Sequence, residues 1–186
     1  MTANFGAHEV MELHEVLTDT IDGINQFNLY REHVKDPQLG SILENQIQFM
    51  NQEYNNIIQA INQQGAASGA QYRGPKNISP VYGLRNPQPQ FPDTSPTQLD
   101  DRDVGSGMLG CHKASASLKM TAALEIANPN LRRMVQQCAI NSSEQAYDTW
   151  QYMNQKGYYQ VPTMQQQTTN TIVNSYTTSP QHPVAF

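Results

Sequence analysis

Two long stretches of the chain repeat one pattern of apolar and polar positions. The first, HVKDPQLGSILENQIQFMNQEYNNIIQAINQQG, runs from His33 to Gly65, and the second, EIANPNLRRMVQQCAINSSEQAYDTWQYMNQKG, runs from Glu125 to Gly157. Pro37 and Pro129, each preceded by Asp or Asn, stand 92 residues apart. Asp and Asn cap helix N-termini, proline suits the first helical position, and glycine suits the end of a helix. Each stretch therefore predicts one long helix, with a single longer helix kinked at proline as the alternative.

Apolar residues recur at steps of three and four in four segments, which is the spacing of one helix face. The predicted stripes are Val10, Leu13, Leu17, Ile21, Ile24 and Phe27; Leu39, Leu43, Ile47, Met50, Tyr54, Ile57 and Ile61; Met108, Cys111, Ser115, Leu118 and Ala122; and Leu131, Val135, Cys138, Ser142, Ala146, Trp150 and Met153. The third stripe is rich in Ala and Ser, which favours close approach of its neighbours. Neither helical hairpin encloses its stripe alone, so we expect an all-α four-helix bundle.

The bundle is predicted to form from two hairpins within one domain, 1–157. Residues 1–64 form the first hairpin and residues 104–157 the second. Between them, 65–103 carries prolines at 75, 80, 87, 89, 92 and 96, which exclude a helix. Two hairpins joined by one long crossover define the ferritin-like topology.

Aromatic residues indicate that the crossover packs along the bundle, namely Tyr72, Tyr82 and Phe91. Tyr54, Tyr147 and Trp150 are interpreted as core residues.

The polar tail, 158–186, is rich in Gln, Thr, Tyr and Pro. Its segment TIVNSYT, 171–177, alternates enough to predict strand addition or association between copies. We expect the tail to mediate packing or to be cross-linked through Tyr158, Tyr159 and Tyr176 with Gln165, Gln166 and Gln167. Disorder is the alternative for this tail.

Composition narrows the classes of function. Only 15% of residues are charged, against roughly 25% in ordinary globular chains, and amides and hydroxyls take their place. The net charge of −5 and the absence of Lys or Arg runs argue against nucleic-acid binding. No apolar stretch is long enough for a membrane span, and the amino terminus lacks a signal-peptide pattern. We therefore expect synthesis in the cytoplasm.

The sequence contains no recognisable catalytic or metal-ligand motif. Cys111 and Cys138 lack metal-ligand spacing and are interpreted as small buried residues, with a disulfide only in an oxidising environment. No Gly-x-Ser-x-Gly or phosphate-binding loop is present, and GSGMLG, 105–110, is interpreted as a loose entry to the third helix. We predict no enzyme activity, no catalytic residue, no cofactor and no small-molecule substrate.

A di-iron bundle needs Glu-x-x-His motifs, because carboxylates neutralise the iron pair and the imidazole completes each shell. The candidate glutamates do not begin such a motif; they are Glu44, Glu53, Glu125 and Glu144. The segment HEVMELHE, with His8, Glu12, His14 and Glu15, is interpreted as a solvated helix start. A surface zinc contact through His8 and Glu12, one turn apart, remains an alternative. We therefore predict no metal site, with a ferritin-like metal-binding or oxidoreductive bundle as the second hypothesis.

The second half of the chain, from Met108 to Pro162, resembles the Coat F domain family of spore coat proteins in endospore-forming Firmicutes. The motif YDTWQYMNQKGYYQVP, from Tyr147 to Pro162, and the preceding Asn-Pro-Asn-Leu-Arg turn carry this resemblance. The resemblance implies a ferritin-like helical protein that is made in the mother cell and deposited in the spore coat. It implies a structural role without established catalytic or cofactor residues, and partners among other coat proteins and further copies of this chain.

Overall fold

Five α-helices account for most of the regular structure in the described residues. The computed structural model describes residues 5–62, 69–75, 78–92 and 98–179. The helices are α1 (Ala7–Tyr30), α2 (Pro37–Asn62), α3 (Asp101–Glu125), α4 (Pro129–Lys156) and α5 (Gln166–Asn174), with a 3-10 turn at Arg31–His33. Within the described ranges, extended pairing is limited to isolated bridges between Val161 and residues 82–83. The predicted all-α class is confirmed.

The four long helices enclose two apolar clusters at opposite ends of a bundle. Helices α2 and α3 each pack against both α1 and α4. The first cluster joins the end of α1, the start of α2, the start of α3 and the end of α4, and it includes Phe27, Leu39, Met108 and Met153. The second cluster joins the opposite helix ends, and it includes Val16, Ile57, Ala122 and Leu131. Helices α2 and α3 therefore run in the same direction, and the crossover returns along the bundle. The ferritin-like assignment itself stays a prediction.

Side-chain caps separate the helices of each hairpin. The Asn128 side chain accepts hydrogen bonds from the N–H groups of Asn130 and Leu131, and Gly157 ends α4 with a φ of 78°. Asp36 Oδ1 accepts from the N–H of Gln38 at 2.8 Å. Because these caps interrupt the chain at the two Asx-Pro turns, the alternative of one long kinked helix is wrong.

Helix α3 begins at Asp101, earlier than the predicted start at residue 104. The reason is a capping box, in which Asp100 accepts from the N–H groups of Arg102 and Asp103 while Asp103 accepts from the Asp100 N–H. The segment 105–110 therefore lies inside α3 and is not a loose entry to it. Its glycines permit close packing, since a Cβ at Gly105 would lie 3.2 Å from Met153 Cγ.

The inward face of α1 differs from the predicted stripe. Val10 and Ile21 are exposed, whereas Val16, Thr20 and Gly23 are buried. A Cβ at Gly23 would lie 3.3 Å from Cys111 Sγ, so α1 presents a small residue where it approaches α3. Leu13 and Phe27 of the predicted stripe are also buried, so the inward face of α1 keeps part of that stripe and adds Val16, Thr20 and Gly23.

The predicted core aromatics are less enclosed than expected. Tyr54 and Trp150 are half-buried, and Tyr147 is 46% exposed. Tyr147 was wrongly placed in the core because its neighbour Ala146 takes the inward position on α4.

The crossover prediction holds for one of its three aromatics. The Tyr72 ring packs edge-on against Phe49, with centroids 5.1 Å apart. Tyr82 and Phe91 are 66% and 84% exposed, so these two rings do not contribute to packing of the crossover.

The strand predicted at 171–177 is also wrong, because Thr171 to Asn174 belong to helix α5. The described part of the bundle offers no sheet edge with which a strand would pair. The remaining tail positions, 180–186, lie outside the described residues, as do 1–4, 63–68, 76–77 and 93–97.

Paired alanine substitutions test the close packing of α3. A Cβ at Gly110 meets no atom within 4 Å, whereas a Cβ at Gly107 would lie 2.2 Å from the Tyr30 hydroxyl oxygen. Helix propensity favours alanine over glycine by about 1 kcal/mol. We expect Gly110→Ala to raise the free energy of unfolding by up to about 1 kcal/mol. We expect the free energy of unfolding of Gly107→Ala to be lower than that of Gly110→Ala, because Tyr30 must move to accommodate the added methyl group. Urea denaturation measures both, and equal gains would contradict the packing of Tyr30 against α3.

Candidate functional site

The middle of the bundle holds a buried ion pair. Lys119 Nζ lies 2.9 Å from Glu53 Oε2, and both side chains are almost completely enclosed. Lys119 also donates to Ser142 Oγ at 3.0 Å, and Asn141 Nδ2 donates to Glu53 Oε1 at 2.8 Å. Burial by itself lowers the pKa of Lys119, but the charge of Glu53 and its hydrogen bond outweigh burial and raise that pKa. The ammonium therefore stays charged and neutralises the central carboxylate.

A second polar group lies between this ion pair and the first apolar cluster. His112 Nε2 and Gln46 Oε1 are 2.9 Å apart, and Gln46 Nε2 donates to the Gln145 carbonyl oxygen at 3.0 Å. Thr149 Oγ1 also donates to that carbonyl, at 3.1 Å. Burial, followed by the nearby charge of Lys119, lowers the pKa of His112 to about 3. The imidazole is neutral at neutral pH and serves as a hydrogen-bonding group inside the bundle.

Most of these interior residues escape prediction from apolar spacing because they are polar. The three-and-four spacing of α3 continues from Met108 through His112, Ser115 and Lys119 to Ala122, all of them buried. In α2, Gln46 and Glu53 interleave with the apolar stripe in the same way. Continuing each stripe through polar residues would have found this layer.

The predicted metal candidates are not gathered at one place. Glu44 forms an ion pair with Arg31 on the surface. His8 Nδ1 lies 3.6 Å from Oε2 of Glu125, the last residue of α3. Over the ranges that the structure describes, no three His, Cys, Asp or Glu side chains are grouped to hold a metal ion. The absence of a metal site stays a prediction, and the surface zinc contact of His8 and Glu12 stays its alternative.

The two cysteines contribute apolar volume. Cys138 is buried, Cys111 is half-buried, and both are free thiols. Burial raises the pKa of both thiols, which disfavours the reactive thiolate.

A polar face of α4 binds the backbone of the crossover. Asn141 Oδ1 accepts from the Tyr72 N–H at 3.0 Å, and its Nδ2 donates to the Ala70 carbonyl at 2.8 Å. Asn154 pairs with the backbone of Val81 in the same way. Its Oδ1 accepts from the Val81 N–H at 2.8 Å, and its Nδ2 donates to the Val81 carbonyl at 3.0 Å. Each amide satisfies both groups that an extended chain presents. The crossover is therefore attached to the bundle at both ends of this face.

Further contacts fill the space between those two asparagines. Gln151 Nε2 donates to the Ile78 carbonyl at 3.1 Å, and the Tyr72 hydroxyl donates to Asp148 Oδ2 at 2.6 Å. Burial raises the pKa of Asp148, while the hydrogen bond from Tyr72 partly opposes that rise. Arg85 Nη2 donates to the Asn154 carbonyl at the end of α4, at 2.8 Å.

Aromatic side chains form a row on the outer surface of the bundle. Tyr147 stacks on Trp150 at 5.4 Å between ring centroids, and Trp150 meets Tyr159 edge-on at 6.4 Å. Lys113 Nζ lies 5.0 Å from the Tyr159 ring centroid, a cation–π contact. Beside this aromatic row, α3 and α4 border a groove of about 300 Å³. Tyr159, one of the predicted tail tyrosines, belongs to the row, whereas Tyr158 packs on the first apolar cluster.

The fold and this interior define a helical bundle whose central carboxylate is neutralised by its own lysine. No helix in the described ranges has the combination of length and apolar character that crossing a membrane requires. Residues 100–162 match the Coat F domain model. The chain is 34% identical over 173 residues to the spore coat protein F-like protein YhcQ of Bacillus subtilis (strain 168), covering 92% of this chain and 80% of the relative. No solved structure matches. The chain belongs to the spore coat protein F-like family, as its resemblance to the Coat F domain predicted.

Removing the buried cation tests the central ion pair. Lys119→Met leaves Glu53 buried without its partner, so we expect the free energy of unfolding to fall by about 3–5 kcal/mol. Glu53→Gln/Lys119→Met should recover most of that loss, because the amide keeps an acceptor for Asn141. Arg31→Met, at an exposed pair, is the control and should cost under about 1 kcal/mol. Urea denaturation gives the free energy of unfolding of all three variants. Equal losses for Lys119→Met and Arg31→Met would contradict the stabilising role of the buried ion pair.

Acid unfolding tests the buried imidazole. His112 has a folded-state pKa of about 3 against an ordinary 6.5, so the unfolded chain binds more protons between these values. The contribution of His112 to the free energy of unfolding is therefore intact above pH 6.5. As the pH falls toward 3, the free energy of unfolding decreases because of this residue by up to about 1.4 kcal/mol per pH unit. We expect His112→Gln to reduce the slope of the free energy of unfolding against pH, between pH 3 and pH 6.5, by up to about 1.4 kcal/mol per pH unit. An unchanged slope would contradict burial of a neutral His112.

Proposed function

We propose that this protein is a structural component of the bacterial endospore coat and acts by packing against other proteins, without catalysis. The name of its Bacillus subtilis relative, a spore coat protein F-like protein, supports the coat role. The match to the Coat F domain model over 100–162 supports the same role. Its partners are other coat proteins and further copies of this chain. It is synthesised in the cytoplasm of the mother cell before deposition in the coat.

The observation that carries the packing role is the exposed aromatic row. Tyr147 and Tyr159 are 46% and 40% exposed and flank the half-buried Trp150. Tyrosine and tryptophan supply large contact areas with a polar group, and they are enriched at protein interfaces. The stacking contacts hold these rings in place before any partner binds, which lowers the entropy lost on association.

The uncharged surface chemistry supports assembly in a dense layer. Amide and hydroxyl groups form hydrogen bonds between neighbours with a smaller desolvation cost than charged groups. Many amides of α4 already bind the crossover, so the crossover and bundle present their outer surfaces together.

The interior argues against the metal-binding alternative. A cation entering beside Glu53 would have to displace Lys119, whose ammonium also binds Ser142. Elemental analysis of the purified protein separates the two functions, and stoichiometric iron, manganese or zinc would favour the alternative.

A fluorescent fusion followed through sporulation tests the coat role. We expect a ring of fluorescence at the spore surface that persists after the mother cell lyses. Tyr147→Ser should reduce the retained signal several-fold, because truncation of a buried interface aromatic commonly costs about 2 kcal/mol or more. Tyr82→Ser, at an exposed tyrosine outside the aromatic row, is the matched control and should leave the ring unchanged. A diffuse mother-cell signal with no ring would refute the coat assignment.

A further inference from the structure

Helix α5 has an apolar face that the other described residues of its chain leave exposed. Its nine residues include none that is buried. Within α5, Thr169, Ile172 and Val173 follow the spacing i, i+3 and i+4, which places them on one helix face, and Tyr176 follows shortly after the helix ends at Asn174. Ile172 is 47% exposed, Val173 62% and Tyr176 79%.

A helix of this kind needs a partner in order to form. Isolated helices shorter than about 12–15 residues are marginal in water even with favourable sequences. The sequence of α5, QQTTNTIVN, is rich in Thr, Asn, Ile and Val, which are weak helix formers. Packing of its apolar face is therefore the source of stability that is missing within one copy.

The groove between α3 and α4 has the shape and chemistry to accept such a helix. Leu109, Ala146 and Trp150 supply apolar lining, and the small residues Ala116 and Ser143 permit close approach of another helix. Tyr147 and Lys113 also border this groove, which has a volume of about 300 Å³.

We propose that α5 of one copy docks into the α3–α4 groove of a second copy, and that the exchange is reciprocal. The pattern of anchors is the one by which an amphipathic helix occupies an apolar groove. The described groove lining has one charged residue, Lys113, which lies over Tyr159, and α5 has none, so charge does not oppose the contact.

Reciprocity favours a second copy as the occupant. In a twofold exchange each contact occurs twice, so the surface area buried by a nine-residue helix is doubled. This brings the total closer to the roughly 1,200–2,000 Å² that stable interfaces bury. Both complementary surfaces are present on one chain, so no other component is required. The inference rests on the proposed function, since it names one way in which this protein packs against its neighbours.

The test is the mass of the full chain across a dilution series, measured by sedimentation equilibrium. We expect a monomer–dimer equilibrium for the unaltered chain. Ile172→Glu/Val173→Glu should weaken the dimer at least about 100-fold, because two apolar anchors are lost and charge enters the groove. The matched control, Gln167→Glu/Thr171→Glu, adds the same charge on the opposite face and should leave the dissociation constant within about threefold.

A second pair of variants tests the groove. Ser143→Arg places a long side chain in the groove and should weaken the dimer, whereas Ala114→Arg, at an exposed α3 position outside the groove lining, should not. Circular dichroism and thermal unfolding verify that each variant folds. A monomer at every concentration, or equal effects of the two glutamate pairs, would overturn the proposal. Protection of α5 from hydrogen exchange that is independent of concentration would also overturn it, because it indicates docking within one copy.

Failure of this inference is distinguishable from failure of the coat role. A monomeric protein whose fluorescent fusion still forms a spore-surface ring would refute docking of α5 alone. A dimer without a ring would refute the coat assignment and leave the docking intact.

Discussion

The buried Glu53–Lys119 ion pair constrains how the helices of this bundle fit together. Apolar clusters lie on both sides of the pair, and the hydrophobic effect that stabilises them is non-directional. A buried charge does not tolerate a shift of one helix along another, because the shift leaves it without its partner at a cost of several kcal/mol. Lys119 on α3 binds Glu53 on α2 and Ser142 on α4, so one side chain joins three helices. We infer that this polar layer fixes their register, with His112 and Gln46 adding a second fixed contact between α2 and α3.

The same layer connects the interior to the crossover. Asn141 binds Glu53 inside the bundle and the backbone at Ala70 and Tyr72 outside it. An amide with both donor and acceptor atoms serves these two environments without bringing another charge into the protein. Part of the high amide content therefore has an architectural role. The aromatic row on α4 remains available for contacts with other molecules, which is the basis of the proposed packing function.

The interior supports the proposal that this bundle holds no metal site, for a chemical reason. A central carboxylate attracts a cation, and here the chain supplies that cation as Lys119. Sequence motifs gave the same expectation through missing Glu-x-x-His pairs, but they did not indicate what Glu53 would bind. The family relationship and the paired interior are independent observations, and both support the proposed structural role.

The sequence by itself determined the four long helices, their caps at Asp36 and Asn128, and the all-α class, because these depend on local spacing and local hydrogen bonds. It also carried the Coat F resemblance. Only the tertiary structure decided that Gly23 lies inward on α1 while Val10 and Ile21 are exposed, since the neighbour that packs at Gly23 is Cys111 of a distant helix. It likewise decided that His112 and Lys119 lie inside, because a polar residue is stable there only when a distant helix provides its partner.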